Sequence, residues 1–197
     1  MIISCFTNAQ AKVIGECTLQ FDILNVTGEK FISIGTKKVF IKGSQCKTVL
    51  ITPSIQQSLL TSSQEDSAII LKEIGASKFY QKIQYPSKDL PSLISMKPIG
   101  KDSTIILHGY LCKQMELQFS NGTIYDVTYT TEIIPTVANF EWAFKEVPGL
   151  VLSYLIKDNN QNWILYKSTS IDLNPITINQ FEINKSLYQI LDSKTGN

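Results

Sequence analysis

The chain has 197 residues, of which 43% are hydrophobic and 18% charged, and Lys+Arg 18 against Asp+Glu 17 gives a formal net charge of +1. That length and composition suit one globular domain able to bury a core without disulfide staples. A balanced charge with no basic run offers nucleic acid no electrostatic footing, and no apolar run approaches the roughly 18 residues that a membrane-spanning helix needs.

The chain opens on Met1, Ile2, Ile3 and Phe6, followed by Thr7-Asn8-Ala9-Gln10-Ala11. Small residues at Ala9 and Ala11 make an A-x-A cleavage site, and the apolar residues before them read as the end of a signal-peptide hydrophobic region, short and without its positive leader. On this reading residues 1–11 are a signal-peptide remnant, the mature chain begins at Lys12, and residues 12–197 form a single β-rich domain. Two alternatives stay open: a lipoprotein site at Ile2-Ile3-Ser4-Cys5, which would lipidate Cys5, and an ordinary strand beginning. After cleavage Cys17, Cys46 and Cys112 remain, an odd number that leaves at least one thiol free or shared between chains. None belongs to a CxxC and His108 is the one histidine. The residues therefore point to no zinc cluster and no cofactor, and to small buried strand positions for the cysteines.

Turn residues then punctuate short alternating runs, the pattern of an antiparallel β fold. Thr18–Ile23 places Leu19, Phe21 and Ile23 on one face. Strands are expected around Phe31–Ile34 and Lys38–Lys42, separated by Gly35, and then at Cys46–Thr52, Ile55–Thr61, Ala68–Ile74 and Lys78–Tyr85. Pro86–Gly100 carries three prolines and reads as a connecting loop. Met115–Phe119 and Ile124–Thr130 form a hairpin about Asn121-Gly122, a pair suited to a two-residue type I′ turn. Such a loop sets Phe119 opposite Ile124 and Leu117 opposite Asp126, leaving Tyr125, Val127 and Tyr129 on the other face, so that the return strand is covered on both sides. Thr136 is a candidate N-cap, and Val137, Phe140, Phe144 and Val147 at i, i+3, i+7 and i+10 predict a helix with one apolar stripe, ended by Pro148-Gly149. Strands at Leu150–Lys157 and Trp163–Asp172 flank a turn at Asp158-Asn159-Asn160, and the tail after Phe181 has no clear pattern.

Several segments resemble a known group of proteins. Ile105-Ile106-Leu107-His108-Gly109-Tyr110-Leu111-Cys112-Lys113 resembles the "I-x-G-Y-x-C-K" segment of secreted Gram-negative proteins of unknown function, and Ile124–Thr130 with Thr131-Glu132-Ile133 is similar to the segment that follows it there. Phe144-Lys145-Glu146-Val147-Pro148-Gly149-Leu150-Val151-Leu152 resembles the sequence that names the GLPGLI family, with Glu146, Val147 and Val151 in place of its glycine, leucine and isoleucine. Leu71–Tyr80 is similar to a segment of a sister family. The resemblance implies an exported, periplasmic or secreted protein with a fold like the LolA/LolB lipoprotein carriers: mainly β, a strongly curved antiparallel sheet forming an incomplete barrel, with one or two short covering helices. It implies no catalytic residue.

The residues themselves suggest no enzyme. On a straight strand His108 and Cys112 would share a face but stand roughly 13 Å apart, too far to activate a thiol. Asp158-Asn159-Asn160 lacks the rest of a calcium loop, and the sequons at Asn25, Asn121 and Asn184 carry little weight in a bacterial protein. The aromatic residues are the remaining signal. Tyr125, Val127, Tyr129, Phe140 and Phe144 are the candidate ligand-binding residues, lining an apolar groove or else forming ordinary core between sheet and helix. Two readings follow: a carrier or sensor of an apolar, lipid-like ligand, or an envelope component that binds a protein partner.

Overall fold

The structure is a computed structural model that describes residues 11–87, 89–100, 104–137, 140–157 and 163–191. The expected cleavage site, apart from Ala11, and the Asp158-Asn159-Asn160 turn lie outside the described residues. In chain order the strands are β1 Lys12–Ile14, β2 Glu16–Thr27, β3 Lys30–Lys42, β4 Gln45–Ile51, β5 Gln56–Ser62, β6 Ser67–Ile74, β7 Ser77–Gln84, β8 Leu93–Pro98, β9 Ile105–Leu107, β10 Tyr110–Phe119, β11 Ile124–Thr130, β12 Ile133–Pro135, β13 Leu150–Lys157, β14 Trp163–Asp172 and β15 Gln189–Ile190. Thirteen of them make one open sheet in the order β15-β7-β6-β5-β4-β3-β2-β14-β13-β11-β10-β8, with β9 beside β10. Its pairs are antiparallel except β15 with β7, so the sheet is mixed, mainly β and not closed into a barrel. A separate parallel pair joins β1 to β12.

Two long strands carry the middle of this sheet. The separate strands expected on either side of Gly35 are one strand, β3. Gly35 is tolerated there because the sheet bends: the β2–β3 register shifts between Ile23 and Leu24, and a Cβ on Gly35 would stand 2.3 Å from the Ile51 carbonyl oxygen. The expected Pro86–Gly100 loop likewise contains an edge strand, β8, with Pro98 as its last residue, where a missing N–H costs no ladder bond.

Cross-strand partners share a face, so the registers show how the sheet is covered. Phe21 opposes Lys37, and Lys37 opposes Leu50, which places them on one face with Leu19, Val39, Ile41 and Cys46. Residues 136–137 and 140–149, the covering segment, lie over this face and fill the main core with Val137, Phe140, Ala143, Phe144 and Val147. The opposite face is covered at the other end of the sheet. There Leu60, Leu71 and Tyr80 form a smaller core under Ile183 and Tyr188 of the tail. Lys47 Nζ donates to the Gln180 carbonyl at 2.7 Å, and the Tyr188 hydroxyl donates to Glu73 Oε1 at 3.1 Å.

The β10–β11 hairpin corrects the expected register by one residue. Phe119 N–H donates to the Thr123 carbonyl, and Gly122 N–H to the Phe119 carbonyl. The loop is thus Ser120-Asn121-Gly122, with Gly122 at φ +84° in the bulge that follows a type I turn. Leu117 consequently faces Tyr125, and Met115 faces Val127. Met115, Leu117, Phe119, Tyr125 and Val127 thus share the main-core face, while Ile124, opposite Gln118, and Leu111 lie off it. The tight two-residue turn occurs one hairpin earlier, where His108 (φ +52°) and Gly109 (φ +83°) join β9 to β10.

The covering helix is also corrected. Among the described residues the segment contains one 3-10 turn, Trp142–Phe144. Thr136 does not cap a helix; its hydroxyl donates to the Gly43 carbonyl at 2.7 Å, and its N–H to the Ile14 carbonyl. The stripe Val137, Phe140, Phe144 and Val147 is nevertheless buried throughout, because four anchors can be driven into a core by an irregular chain as well as by a helix.

Candidate ligand site

The five expected ligand-binding residues come together in the main core. Tyr125, Val127 and Tyr129 project from β11, and Phe140 and Phe144 enter the same core from the covering segment, Phe144 against Tyr125, with Tyr125 partly buried and the other four buried. The Phe144 ring centroid is 4.9 Å from that of Tyr154, 5.4 Å from Phe140 and 6.2 Å from Tyr125, each pair edge to face. Phe140 turns toward β2 and packs on Phe21 at 6.2 Å. Such edge-to-face pairs add to the free energy of apolar burial, and the rings fill the space between the sheet and its cover.

Beneath this cover sits a charge. Lys37 is 1% exposed. Its Nζ forms an ion pair with Glu141 and donates to the Tyr154 hydroxyl at 2.8 Å. Four rings surround the ammonium: Phe140 and Tyr154 at 5.3 Å, Tyr166 at 5.6 Å and Phe21 at 5.9 Å from Nζ to the centroid. Tyr154 and Tyr166 stack face to face at 4.4 Å. Aromatic faces attract a desolvated cation, and the carboxylate supplies the counter-charge without which a buried ammonium is untenable. Burial, and after it the Glu141 carboxylate, pushes the phenols of Tyr85, Tyr125 and Tyr166 up to about 12 and holds that of Tyr154 well above its ordinary value. The tyrosines around Glu141 thus stay neutral hydrogen-bonding groups at ordinary pH.

Glu141 leads directly to Trp142, and Trp142 is a wall of a cleft of about 380 Å³. The loop after β7 forms the other wall with Tyr85, Pro86, Leu90 and Pro91, Leu93 and Phe119 complete the lining, and Lys145 and Glu146 lie at its border. Phe119 and Trp142 meet edge to face at 4.8 Å. Volume and lining fall in the range of small-ligand sites.

Sequence reasoning passed over Lys37 and Glu141, although a signal for the lysine was present. In Lys37-Lys38-Val39-Phe40-Ile41 the alternation sets Lys37 on the same face as the apolar Val39 and Ile41.

The remaining chemical groups are tied into structure. His108 Nε2 lies 2.8 Å from Ser168 Oγ and 3.1 Å from the Ser168 carbonyl oxygen, fastening the β9–β10 turn to β14. The Cys112 thiol donates to the Tyr110 carbonyl, and His108 pairs with Ser168, so neither is paired with the other by a hydrogen bond. Cys17, Cys46 and Cys112 are all buried free thiols. Cys17 and Cys46 both flank Ile41, so they stand two strands apart, about 9.5 Å, beyond disulfide reach. Burial pushes both thiols up to about 12. Asn184 accepts from Ser186 N–H at a 3-10 turn, and Asn121 accepts from Thr123 N–H in its hairpin. Among the described residues no helix is long and apolar enough to cross a membrane.

No protein-family model and no curated protein matches the chain.

Proposed function

We propose that this is an exported, non-catalytic binding protein of the Gram-negative cell envelope, a carrier or sensor that holds an apolar, lipid-like ligand in the cleft beside its covering segment. The observation that carries the reading is the cleft between Trp142 and the loop after β7. It is walled by prolines, leucines and aromatic rings and continuous with the aromatic core through the Phe119–Trp142 contact. The export part of the reading rests on Ala9-Gln10-Ala11 and on the resemblance to secreted families. A ligand entering here needs the covering segment to yield, and among its described residues one short 3-10 turn is all the regular structure there is to break.

Native mass spectrometry of the protein taken from its host envelope tests the reading. A carrier retains a discrete adduct that a solvent wash removes. A chain found at its bare mass, which also fails to bind an added apolar fluorophore, defeats it. A second reading, an envelope component with a protein partner, is favoured by the apolar side chains left exposed along the β8–β10 edge: Ile94, Met96, Ile106 and Leu111. Recovery of a stoichiometric protein complex without any small adduct would select that one.

A further inference from the structure

Lys37 is a fixed, buried cation whose carboxylate partner arrives on the cover. The other members of its cage, Phe21, Tyr154 and Tyr166, stand on β2, β13 and β14 with Phe140 above them. Glu141 differs from all of these: it precedes the short 3-10 turn, a third of its side chain (33%) is already exposed, and its neighbour Trp142 walls the cleft. A buried ammonium and a phenol hydroxyl, with an apolar cleft that begins at Trp142, the residue after Glu141, suit an acid group on an apolar chain.

Building on the ligand-binding reading above, we propose that Glu141 occupies the place of the ligand's own acid group, and that the ligand class is a carboxylate with a single acyl chain. The incoming carboxylate displaces Glu141 and accepts hydrogen bonds from Lys37 Nζ and the Tyr154 hydroxyl, while its chain lies against Phe119 and Trp142 toward the mouth. One carboxylate replaces another, so the core never holds an unpaired cation, and Glu141 moves into water where part of it already lies. A neutral amphiphile cannot make this exchange without leaving Lys37 unpaired, and a cationic one adds repulsion.

The test uses the full chain carrying Trp163→Phe, so that fluorescence reports Trp142, titrated with dodecanoate, dodecanol and dodecyltrimethylammonium. Dodecanoate is expected to bind at least about tenfold tighter than dodecanol, the size of one charge-assisted contact, with the cation weakest. Glu141→Gln removes the competitor. It should bind dodecanoate about tenfold tighter than the parent chain, with dodecanol unchanged, and dodecanoate should raise its melting temperature. Tyr154→Phe should lose several-fold in dodecanoate affinity alone. Should Glu141→Gln fail to fold, the discrimination by the parent chain and by Tyr154→Phe decides. Equal affinity for dodecanoate and dodecanol, or a Glu141→Gln chain that binds dodecanoate no better, overturns the proposal and leaves the apolar-ligand reading standing. Failure of all three probes to bind removes both.

Discussion

Gly149 passes so close to Thr130 that a Cβ built on it would stand 2.0 Å from the Thr130 carbonyl oxygen. The contact joins the end of the covering segment to the end of β11, and Gly149 holds it at φ +155°, where side chains are rarely accommodated. Gly149→Ala must therefore push the two backbones apart. A loss of about 3 kcal/mol is expected in urea denaturation, from backbone strain and overpacking together. Gly43→Ala is the control: its φ is +58° but nothing stands near its Cβ position, so about 1–2 kcal/mol is expected. Equal losses at the two sites would show that the close approach does not matter.

Phe144 is fully buried among Phe140, Tyr125 and Tyr154. Phe144→Ala should cost about 3–5 kcal/mol, the range for truncating an aromatic ring in a packed core. Leu111→Ala, at a half-exposed position, should change stability by less than about 0.5 kcal/mol. A small loss at Phe144 would mean that the cover is loosely held and that the ring does not pack as described.

The hairpin register can be read directly by NMR. With Phe119 and Thr123 as a hydrogen-bonded pair, Glu116 and Asp126 form a non-hydrogen-bonded pair, whose α-carbons approach to about 4.5 Å. A strong Hα–Hα cross-peak between Glu116 and Asp126 is the expected result; one between Leu117 and Asp126 would restore the two-residue loop. The same register sets two carboxylates opposite each other. Burial, and then Glu116, raises the Asp126 carboxyl above its usual range. Glu116→Gln should therefore stabilise the fold by a few tenths of a kcal/mol, up to about 1, and a loss of stability would contradict the pairing.

Alkaline pH should unfold the protein with unusual steepness. Cys17 and Cys46 are raised from 9.0 to about 12, and Tyr85, Tyr125 and Tyr166 from 10.0 to about 12, in each case chiefly by burial. The folded chain holds these protons more tightly than the unfolded chain, so their contribution is complete below about pH 8.5 and is lost as pH rises toward 12. Denaturation midpoints should stay level from pH 7 to 8.5 and then fall by pH 10.5. In the native protein at pH 8, iodoacetamide should leave Cys17 and Cys46 unmodified until denaturant is added. Rapid native alkylation, or a flat alkaline limb, would place these groups in a wetter setting.

Much of the architecture was legible because alternation is a direct record of a half-buried sheet. Leu19, Phe21 and Ile23 are all buried as their spacing indicates, the first two in the main core. The elements that were hidden share a cause: each is decided by partners distant in sequence. Gly35 looks like a strand break until Ile51 is placed against it. Leu93–Pro98 looks like loop until β10 offers it a ladder. The spacing of Val137, Phe140, Phe144 and Val147 does encode burial, but the backbone between them follows Thr136 to Gly43 and Glu141 to Lys37, two tethers that no local pattern announces. The burial of the candidate residues was legible from their spacing, whereas the charge beside Phe140 is easily passed over, because surface lysines are common and only the alternation with Val39 and Ile41 marks this one.

The tail that crosses back to pair β15 with β7 does more than shield Leu60, Leu71 and Tyr80. By occupying backbone positions beside Phe79 and Tyr80 it blocks the middle of that rim. A molecule clipped after Asp172 would bare both a greasy patch and a row of unmet amide and carbonyl groups, the two ingredients of edge-to-edge polymerisation. Residues 173–191 therefore act as a built-in chain terminator for the sheet.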